Sequence, residues 1–175
     1  MNKSNFKILK DKLSTIDIEK SKTFVPENKS EVITSMAITE EGLFYVTNKN
    51  GISATLHKKD FNASSSQKLD IPQSGHINLY SLGIKNNDLW IVTKGWISDN
   101  VRYKLDHNTN TFVEENIGSK TKSNRDNLVV KEVEVKSHDG VMVPLSIIYQ
   151  KGTKLNSKNR VMITSTVDLI NKGAD

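Results

Sequence analysis

The chain has 175 residues, of which 35% are hydrophobic and 26% are charged, and its formal net charge is +5. This length allows one domain with a real core or parts of two, and the composition is typical of a soluble globular protein. Cysteine is absent, which excludes disulfides and thiolate metal sites.

Neither a membrane span nor a nucleic-acid site is expected. The longest apolar runs are three or four residues, whereas a bilayer requires about 20, and residues 1–14 lack the apolar segment of a secretory signal. We therefore expect a cytoplasmic chain, or a periplasmic one whose signal lies upstream. Only three of the 25 basic residues are arginine, the residue on which direct base readout most depends, so the positive charge indicates a solvated lysine surface.

The first two-thirds of the chain has the pattern of an all-β protein, in which short apolar runs alternate with turn residues. Leu43 to Thr47 and Ile52 to Leu56 are predicted strands, joined by a tight turn at Asn50-Gly51. Residues 88–106 repeat this scheme with a longer connection. Residues 61–67 and 107–111 are rich in Ser, Asn and Thr and are predicted loops.

These two segments are related by a shift of 46 residues. The shift aligns residues 35–47, SMAITEEGLFYVT, with residues 81–93, SLGIKNNDLWIVT. Five of the thirteen aligned positions are identical, namely Ser35/Ser81, Ile38/Ile84, Leu43/Leu89, Val46/Val92 and Thr47/Thr93. A period in the mid-forties with about four short strands is the size of a β-propeller blade. Two blades cannot close a ring, because each buries its faces only against its neighbours; chance similarity is the alternative.

A second structural unit is predicted after a polar linker at residues 119–127. The alternation of residues 128–150 predicts a hairpin with Asp139-Gly140 at its turn. One face of this hairpin should carry Val133, Val135, Val143, Leu145, Ile147 and Tyr149. Pro144 lacks an N–H and is expected at a sheet edge. Residues 161–163 are expected to form a short buried strand.

The sequence contains no recognisable active site. No two of the nine glycines have the spacing of the dinucleotide fingerprint or of the G-x-S-x-G nucleophile elbow, and H-E-x-x-H is absent. Ser165 and Asp168 are close in sequence but lack a base and an oxyanion hole. We therefore predict no catalytic, cofactor-binding or metal-binding residue, and no cofactor.

The four histidines are far apart and have no ligand spacing. His57, in a predicted strand, His107, in a loop, and His138, in the hairpin turn, are expected to be surface or turn residues. His76 could fold beside an acid or base, but the sequence identifies no partner for it.

Two further pairs of residues have plain structural interpretations. Glu40-Glu41 and Glu114-Glu115 are expected to be turn and loop charges and not a catalytic pair. Trp90 and Trp96, at blade-like positions, are expected to pack between blades and not to bind a ligand.

Residues 129–155, VVKEVEVKSHDGVMVPLSIIYQKGTKL, resemble the domain junction of the prolyl oligopeptidase family of serine peptidases, bacterial members especially. In that family a strand leads into S-x-D-G-x-x-(I/V)-P, then an apolar strand, then a K-K-G-x-K-L loop. The matching residues here are Ser137, Asp139, Gly140, Val143 and Pro144, followed by Lys151, Gly152, Lys154 and Leu155. Residues 24–51 and 88–106 also resemble the last blades of the family's seven-bladed propeller.

The resemblance implies a two-domain peptidase whose propeller caps an α/β-hydrolase domain and admits only short peptides, often cleaved after proline. It predicts a mostly-β chain, a partial β-propeller of about two blades followed by the first strands of an α/β-hydrolase domain. Residues 1–118 would be C-terminal blades, and residues 119–175 a linker and the truncated start of the hydrolase domain. Asp139-Gly140 would be a structural turn, and the family's Ser, Asp and His would lie beyond residue 175.

The resemblance fades after about Met162. The family continues into P-x-L-L-Y-G-Y-G-G, whose second tyrosine contributes to the oxyanion hole, whereas this chain reads NRVMITSTVDLINKGAD. We therefore expect a fragment, inactive alone, of an oligopeptidase that hydrolyses short peptides through an acyl-enzyme. Its partner would be the missing remainder of the propeller and peptidase domain. The alternative is a free-standing, non-catalytic β-rich interaction module.

Overall fold

The chain is built from antiparallel β-strands. The structure, a computed structural model, describes residues 5–49, 53–73, 75–117 and 125–164. Strands make up 48% of these residues, none of which is in an α-helix. A single 3₁₀ turn lies at Leu13–Thr15. In chain order the strands are β1 (Ile8–Lys10), β2 (Lys22–Val25), β3 (Val32–Ile38), β4 (Leu43–Lys49), β5 (Ser53–Lys59), β6 (Gln67–Leu69), β7 (His76–Ser81), β8 (Leu89–Lys94), β9 (Val101–Asp106), β10 (Thr111–Glu115), β11 (Leu128–Lys136) and β12 (Met142–Gln150).

Two four-stranded sheets form the centre of the molecule. The first has the order β3-β4-β5-β6 and the second the order β7-β8-β9-β10, so each is a simple antiparallel meander. The predicted repeat of four short strands is therefore confirmed. Strands β1 and β2 form a separate two-stranded sheet, and so do β11 and β12.

The offset of 46 residues holds in space for the last three strands of each sheet. Tyr45 pairs with His57 in the first sheet, and their counterparts Ile91 and Tyr103 pair in the second. The first strands do not follow this offset, because Ile38 pairs with Leu43 whereas Ser81 pairs with Leu89. The predicted matches Ser35/Ser81 and Ile38/Ile84 are therefore wrong, because the residues of each pair do not occupy equivalent positions in the two sheets. The reason is a longer connection in the second sheet, residues 82–88 instead of 39–42.

The main core lies between the two four-stranded sheets. Phe44, Val46 and Leu56 of the first sheet are fully buried, as are Ile77 and Ile91 of the second, in one apolar cluster. Because side chains alternate across a strand, the odd-numbered residues of β4 face the opposite way from Phe44 and Val46. Leu43 and Tyr45 pack there with Val25 of β2 in a smaller cluster. The first sheet is therefore covered on both faces.

Polar contacts join the loops at one end of the two sheets. The Glu40 N–H donates to the Asn86 carbonyl at 3.1 Å, and the Glu41 N–H donates to Asn87 Oδ1 at 3.1 Å. The Ser81 hydroxyl donates to the Ile38 carbonyl at 2.8 Å. These bonds satisfy backbone groups at the end of the core and fix how the second sheet sits on the first.

The β11–β12 hairpin matches its prediction closely. The strands pair over nine positions from Leu128–Gln150 to Lys136–Met142, and the turn places Gly140 at a φ of 87°, which favours glycine. The six residues predicted to share a face do so, and all six are half-buried or exposed. Pro144 lies in an edge strand, as expected, because this sheet has only two strands.

The buried strand expected at residues 161–163 is wrong. Val161, Met162 and Ile163 form no strand and are 78%, 88% and 82% exposed. A two-stranded sheet has no interior in which a further apolar strand could be covered. The turn predicted at Asn50-Gly51 lies outside the described residues. Within the described ranges no helix has the length and apolar character needed to cross a membrane.

We expect the contact between the two sheets to dominate stability. Leu56→Ala should lower the free energy of unfolding by about 2–5 kcal/mol, because it leaves a cavity in a fully buried position. Leu82→Ala, at an exposed position of the second sheet's loop, should change it by less than about 0.5 kcal/mol. Urea unfolding followed by tryptophan fluorescence measures both; equal losses would contradict the assignment of the core.

Candidate functional site

A cavity of about 560 Å³ opens between the first four-stranded sheet and the chain segment that follows β2. Strands β4 and β5 supply one wall, and the β2–β3 and β5–β6 connections supply the others. Its lining includes Glu27, Glu31, Tyr45, Thr47, His57, Lys59 and the serines 64–66. The side chains from β4 and β5 come from one face of the sheet, since their positions alternate along each strand.

Tyr45 and His57 form the aromatic part of this wall. They are cross-strand partners, and their rings stack with centroids 4.7 Å apart and an interplanar angle of 11°. The His57 Nε2 lies 2.8 Å from the Thr47 hydroxyl, and the Tyr45 hydroxyl donates to Ser66 Oγ at 2.8 Å. Burial lowers the pKa of His57, with an opposing effect from Glu31 and a further lowering by Lys68. The imidazole is therefore neutral at pH 7.

Lys59 is the most unusual residue of the cavity. It is only 5% exposed, its Nζ donates to the Ser64 carbonyl at 2.9 Å, and the ammonium lies 5.2 Å from the centre of the Phe24 ring. Among the described residues, no carboxylate lies within ion-pair distance of it. A buried cation normally has an anionic partner, because its desolvation is costly.

The equivalent positions of the second sheet carry different chemistry. Tyr45 corresponds to Ile91, His57 to Tyr103 and Lys59 to Leu105, each 46 residues later. Ile91, Tyr103 and Leu105 are buried against the first sheet. The first sheet thus has a phenol, an imidazole and an ammonium where the same fold position in the second sheet supports a closed core.

Sequence reasoning missed this cluster. His57 does lie in a strand, but it is half-buried in a cavity wall, so its interpretation as a surface residue is wrong. The signal that could have identified the cluster was present in the repeat, since the offset of 46 sets Lys59 against Leu105. The difference between Lys59 and Leu105 becomes informative only when the buried face of the strand is known.

The other histidines are dispersed, as expected. His76 is exposed in β7, and its Nε2 lies 3.2 Å from the amide oxygen Oδ1 of Asn78. His138 lies in the hairpin turn, 3.2 Å from the Ser137 hydroxyl. No group of acidic and histidine side chains within the described ranges could hold a metal ion. Ser165 and Asp168 lie outside these ranges.

Glu41 forms polar contacts with both Lys58 and His107. Its carboxylate accepts a hydrogen bond from Lys58 and lies 2.9 Å from His107 Nδ1. Burial disfavours the ionised carboxylate, but Lys58 and His107 together hold the pKa of Glu41 below its ordinary value. The prediction of a turn charge is confirmed, with an added role in tying the β3–β4 turn to β5.

Glu114 and Glu115 were expected in a loop, and this is wrong. Both lie in β10, where Glu115 pairs with Arg102 of the adjacent strand at 2.8 Å. A cross-strand pair of opposite charges stabilises an edge strand that has little apolar area.

Neither tryptophan packs between the two described sheets. Trp90 lies on the face of β8 turned away from the first sheet, with Arg102 and Lys104 at 5.2 and 5.3 Å from its ring centre. Trp96 is 58% exposed in the β8–β9 connection. The expected packing between blades is therefore absent here, and cations from β9 cover the Trp90 ring instead.

Comparison with known proteins identifies the fold. The chain is similar to a prolyl endopeptidase (TM-score 0.72, 20% identity, 85% of this chain and 22% of that one). It is also similar to prolyl oligopeptidase B from Galerina marginata (TM-score 0.71, 18% identity, 85% and 21%) and to a post-proline cleaving enzyme from Rickettsia typhi (TM-score 0.60, 20% identity, 79% and 20%). No protein-family model and no curated protein sequence matches the chain.

These similarities concern part of much longer proteins. The chain spans about a fifth of the length of each, and the region it matches is the propeller of the prolyl oligopeptidases. The predicted resemblance is thus confirmed for the fold. At these identities the likeness shows the architecture, which is that of a mostly-β chain with several antiparallel sheets, none of them closed among the described residues.

We expect His57 to make stability depend on pH. Its pKa is lowered in the folded chain, so the unfolded chain takes up a proton first as the pH falls through about 6.5. The stability that depends on a neutral His57 is therefore fully present above that pH and is lost progressively below it. His57→Tyr, which installs the residue found at position 103, should flatten the dependence between pH 6.5 and pH 5 in urea unfolding experiments.

His138→Tyr is the matched control for this measurement, because it changes an exposed histidine of the hairpin turn. It should keep the pH dependence of the unaltered chain. An equal slope for the His57 variant and the unaltered chain would show that burial of His57 has no effect on its protonation.

Proposed function

We propose that this chain is a segment of a serine peptidase of the prolyl oligopeptidase type. In this proposal the two four-stranded sheets are consecutive propeller blades, and β1 and β2 belong to the blade before them. The observation that carries the proposal is the structural match over 85% of the chain to a prolyl endopeptidase. The 46-residue period and the meander order of both sheets support it independently.

The hairpin would be the start of the peptidase domain. The proposed division places residues 1–118 in the propeller and residues 119–175 in the linker and the first part of an α/β-hydrolase domain. Support comes from the apolar face of the hairpin, which carries Val133, Leu145 and Ile147 among others and has no sheet or helix packed over it among the described residues. Such a face requires a covering layer in a stable domain.

The role of this segment would be to support and to filter, and not to cleave. In the full-length parent, the propeller would restrict access to short peptides, and a triad elsewhere would form the acyl-enzyme. The described residues favour this division of labour. Among these residues the one serine–histidine hydrogen bond joins Ser137 and His138, which lie in the hairpin turn with no carboxylate bonded to the imidazole.

We expect the 175-residue chain alone to hydrolyse no peptide. It should release no fluorophore from a peptide with proline before the scissile bond, and it should not react with a fluorophosphonate probe, because no serine among the described residues is bonded to a histidine that a carboxylate orients. An active prolyl oligopeptidase assayed in parallel is the positive control. Labelling of the chain by the probe would contradict a non-catalytic segment.

Translation of the coding DNA on both sides tests the family assignment itself. The proposal expects Y-G-Y-G-G and then G-x-S-x-G downstream, in any frame. If both motifs are missing, the chain is better described as a non-catalytic β-rich interaction module built on a peptidase-like scaffold.

A further inference from the structure

Lys59 is buried at a position where the fold does not require a lysine. Its counterpart in the second sheet, Leu105, is 2% exposed and packs in the apolar core, so an aliphatic side chain satisfies this backbone site. A buried ammonium without a carboxylate beside it costs stability. The lysine therefore calls for an explanation outside the packing of the sheet, and it lines the cavity described above.

The Lys59 ammonium retains unused hydrogen-bonding capacity. It has three N–H donors, and the structure assigns one of them to the Ser64 carbonyl. The Phe24 ring, whose centre is 5.2 Å from the ammonium, attracts the charge but accepts no conventional hydrogen bond. The cavity side of the ammonium is thus suited to an anion that brings its own acceptors.

A hydroxyl donor lies in the same cavity. Ser66 Oγ accepts a hydrogen bond from the Tyr45 hydroxyl at 2.8 Å, which leaves its own proton available to a second acceptor. Ser65 also lines the cavity. One ammonium and one or two hydroxyls form a donor set for a carboxylate.

The same cavity lining also carries negative charge. Glu27 and Glu31 are half-buried there, with the exposed Lys29 between them in sequence. His57 adds no positive charge at neutral pH, because burial lowers its pKa. The cavity lining thus carries two carboxylates as well as the Lys59 ammonium, which disfavours a dianion such as phosphate and favours a ligand with an ammonium of its own.

We propose that this cavity binds a small zwitterion of the α-amino acid class, with its carboxylate on Lys59 and Ser66 and its ammonium toward Glu27 and Glu31. The volume of about 560 Å³ is within the usual range for a small-molecule site, and the stacked Tyr45 and His57 rings offer an apolar wall for the ligand's side chain. The site and the proposed function can fail separately, because ligand binding is measured on the 175-residue chain and the family assignment is tested on the flanking DNA.

Saturation-transfer NMR and calorimetry on the 175-residue chain test the proposal, with free leucine as the probe. Leucine should bind saturably. N-acetylleucine lacks the ammonium, leucinamide lacks the carboxylate, and both should bind at least about tenfold more weakly, as expected from the loss of one charge-assisted hydrogen bond. Inorganic phosphate should bind more weakly than leucine.

Two variants assign the charges. Lys59→Leu installs the residue of the second sheet, so its urea midpoint should show a folded chain, and its affinity for leucine should fall at least about tenfold. Glu31→Gln should weaken leucine but leave N-acetylleucine unchanged. Lys58→Leu is the matched control, since the adjacent lysine points to the other face and pairs with Glu41; it should bind leucine as the unaltered chain does.

Three results would overturn the proposal. The first is the absence of saturable leucine binding to the folded chain. The second is unchanged leucine affinity in the folded Lys59→Leu variant. The third is tighter binding of phosphate than of leucine, which would make the cavity a simple anion site.

Discussion

The apolar contact between the two four-stranded sheets is the interaction on which the other features of the chain depend. A four-stranded meander has two faces, and a face rich in Phe, Val, Leu and Ile is stable only when another layer covers it. Phe44 and Leu56 are covered by Ile77 and Ile91 of the next sheet. Burial of this kind contributes about 25 cal/mol for each square ångström of apolar area, or about 1.5–3 kcal/mol for a fully buried Leu or Phe side chain, whereas one hydrogen bond contributes about 0.5–1.5 kcal/mol. The loop hydrogen bonds between Glu40 and Asn86 fix the alignment that this contact makes possible.

The same constraint explains where the chain is left open. The second sheet shows its outer face to solvent, and there the cations Arg102 and Lys104 lie against the Trp90 ring. Lys58 lies in the same way against the Phe44 ring in the first sheet, at 5.7 Å. A lysine stem over an aromatic ring covers apolar surface while its charge stays wet. In each sheet, basic side chains therefore cover part of an aromatic ring. The second sheet completes the cover over Phe44, whereas Trp90 has no such neighbouring sheet among the described residues.

The cavity beside Lys59 shows that equivalent positions in two similar sheets can form different structures, a polar cavity in one and a closed core in the other. The backbone pairing of Tyr45 with His57 is the same as that of Ile91 with Tyr103, so the difference between a closed core and a polar cavity lies in the side chains and in the layer that packs over them. In the second sheet, Ile91 and Leu105 pack against the first sheet with groups of matched volume. The Tyr45 phenol and the Lys59 ammonium of the first sheet instead have polar partners in the β5–β6 connection. The His57 imidazole lies 2.8 Å from the Thr47 hydroxyl.

The sequence by itself determined the local features of the protein. The alternation of residues 128–150 and the Asp139-Gly140 turn predicted the hairpin, its facing and its register, because in a hairpin these depend on neighbours close along the chain. The 46-residue repeat likewise predicted two meanders. Tertiary structure decided the rest: that the first strands depart from the repeat offset, that Glu114 and Glu115 lie in a strand, that residues 161–163 are uncovered, and that His57 and Lys59 face a cavity. Whether a side chain is buried depends on which sheet packs over it. That packing brings together residues far apart in the sequence, such as Phe44 and Ile77, and a local sequence pattern does not predict such contacts.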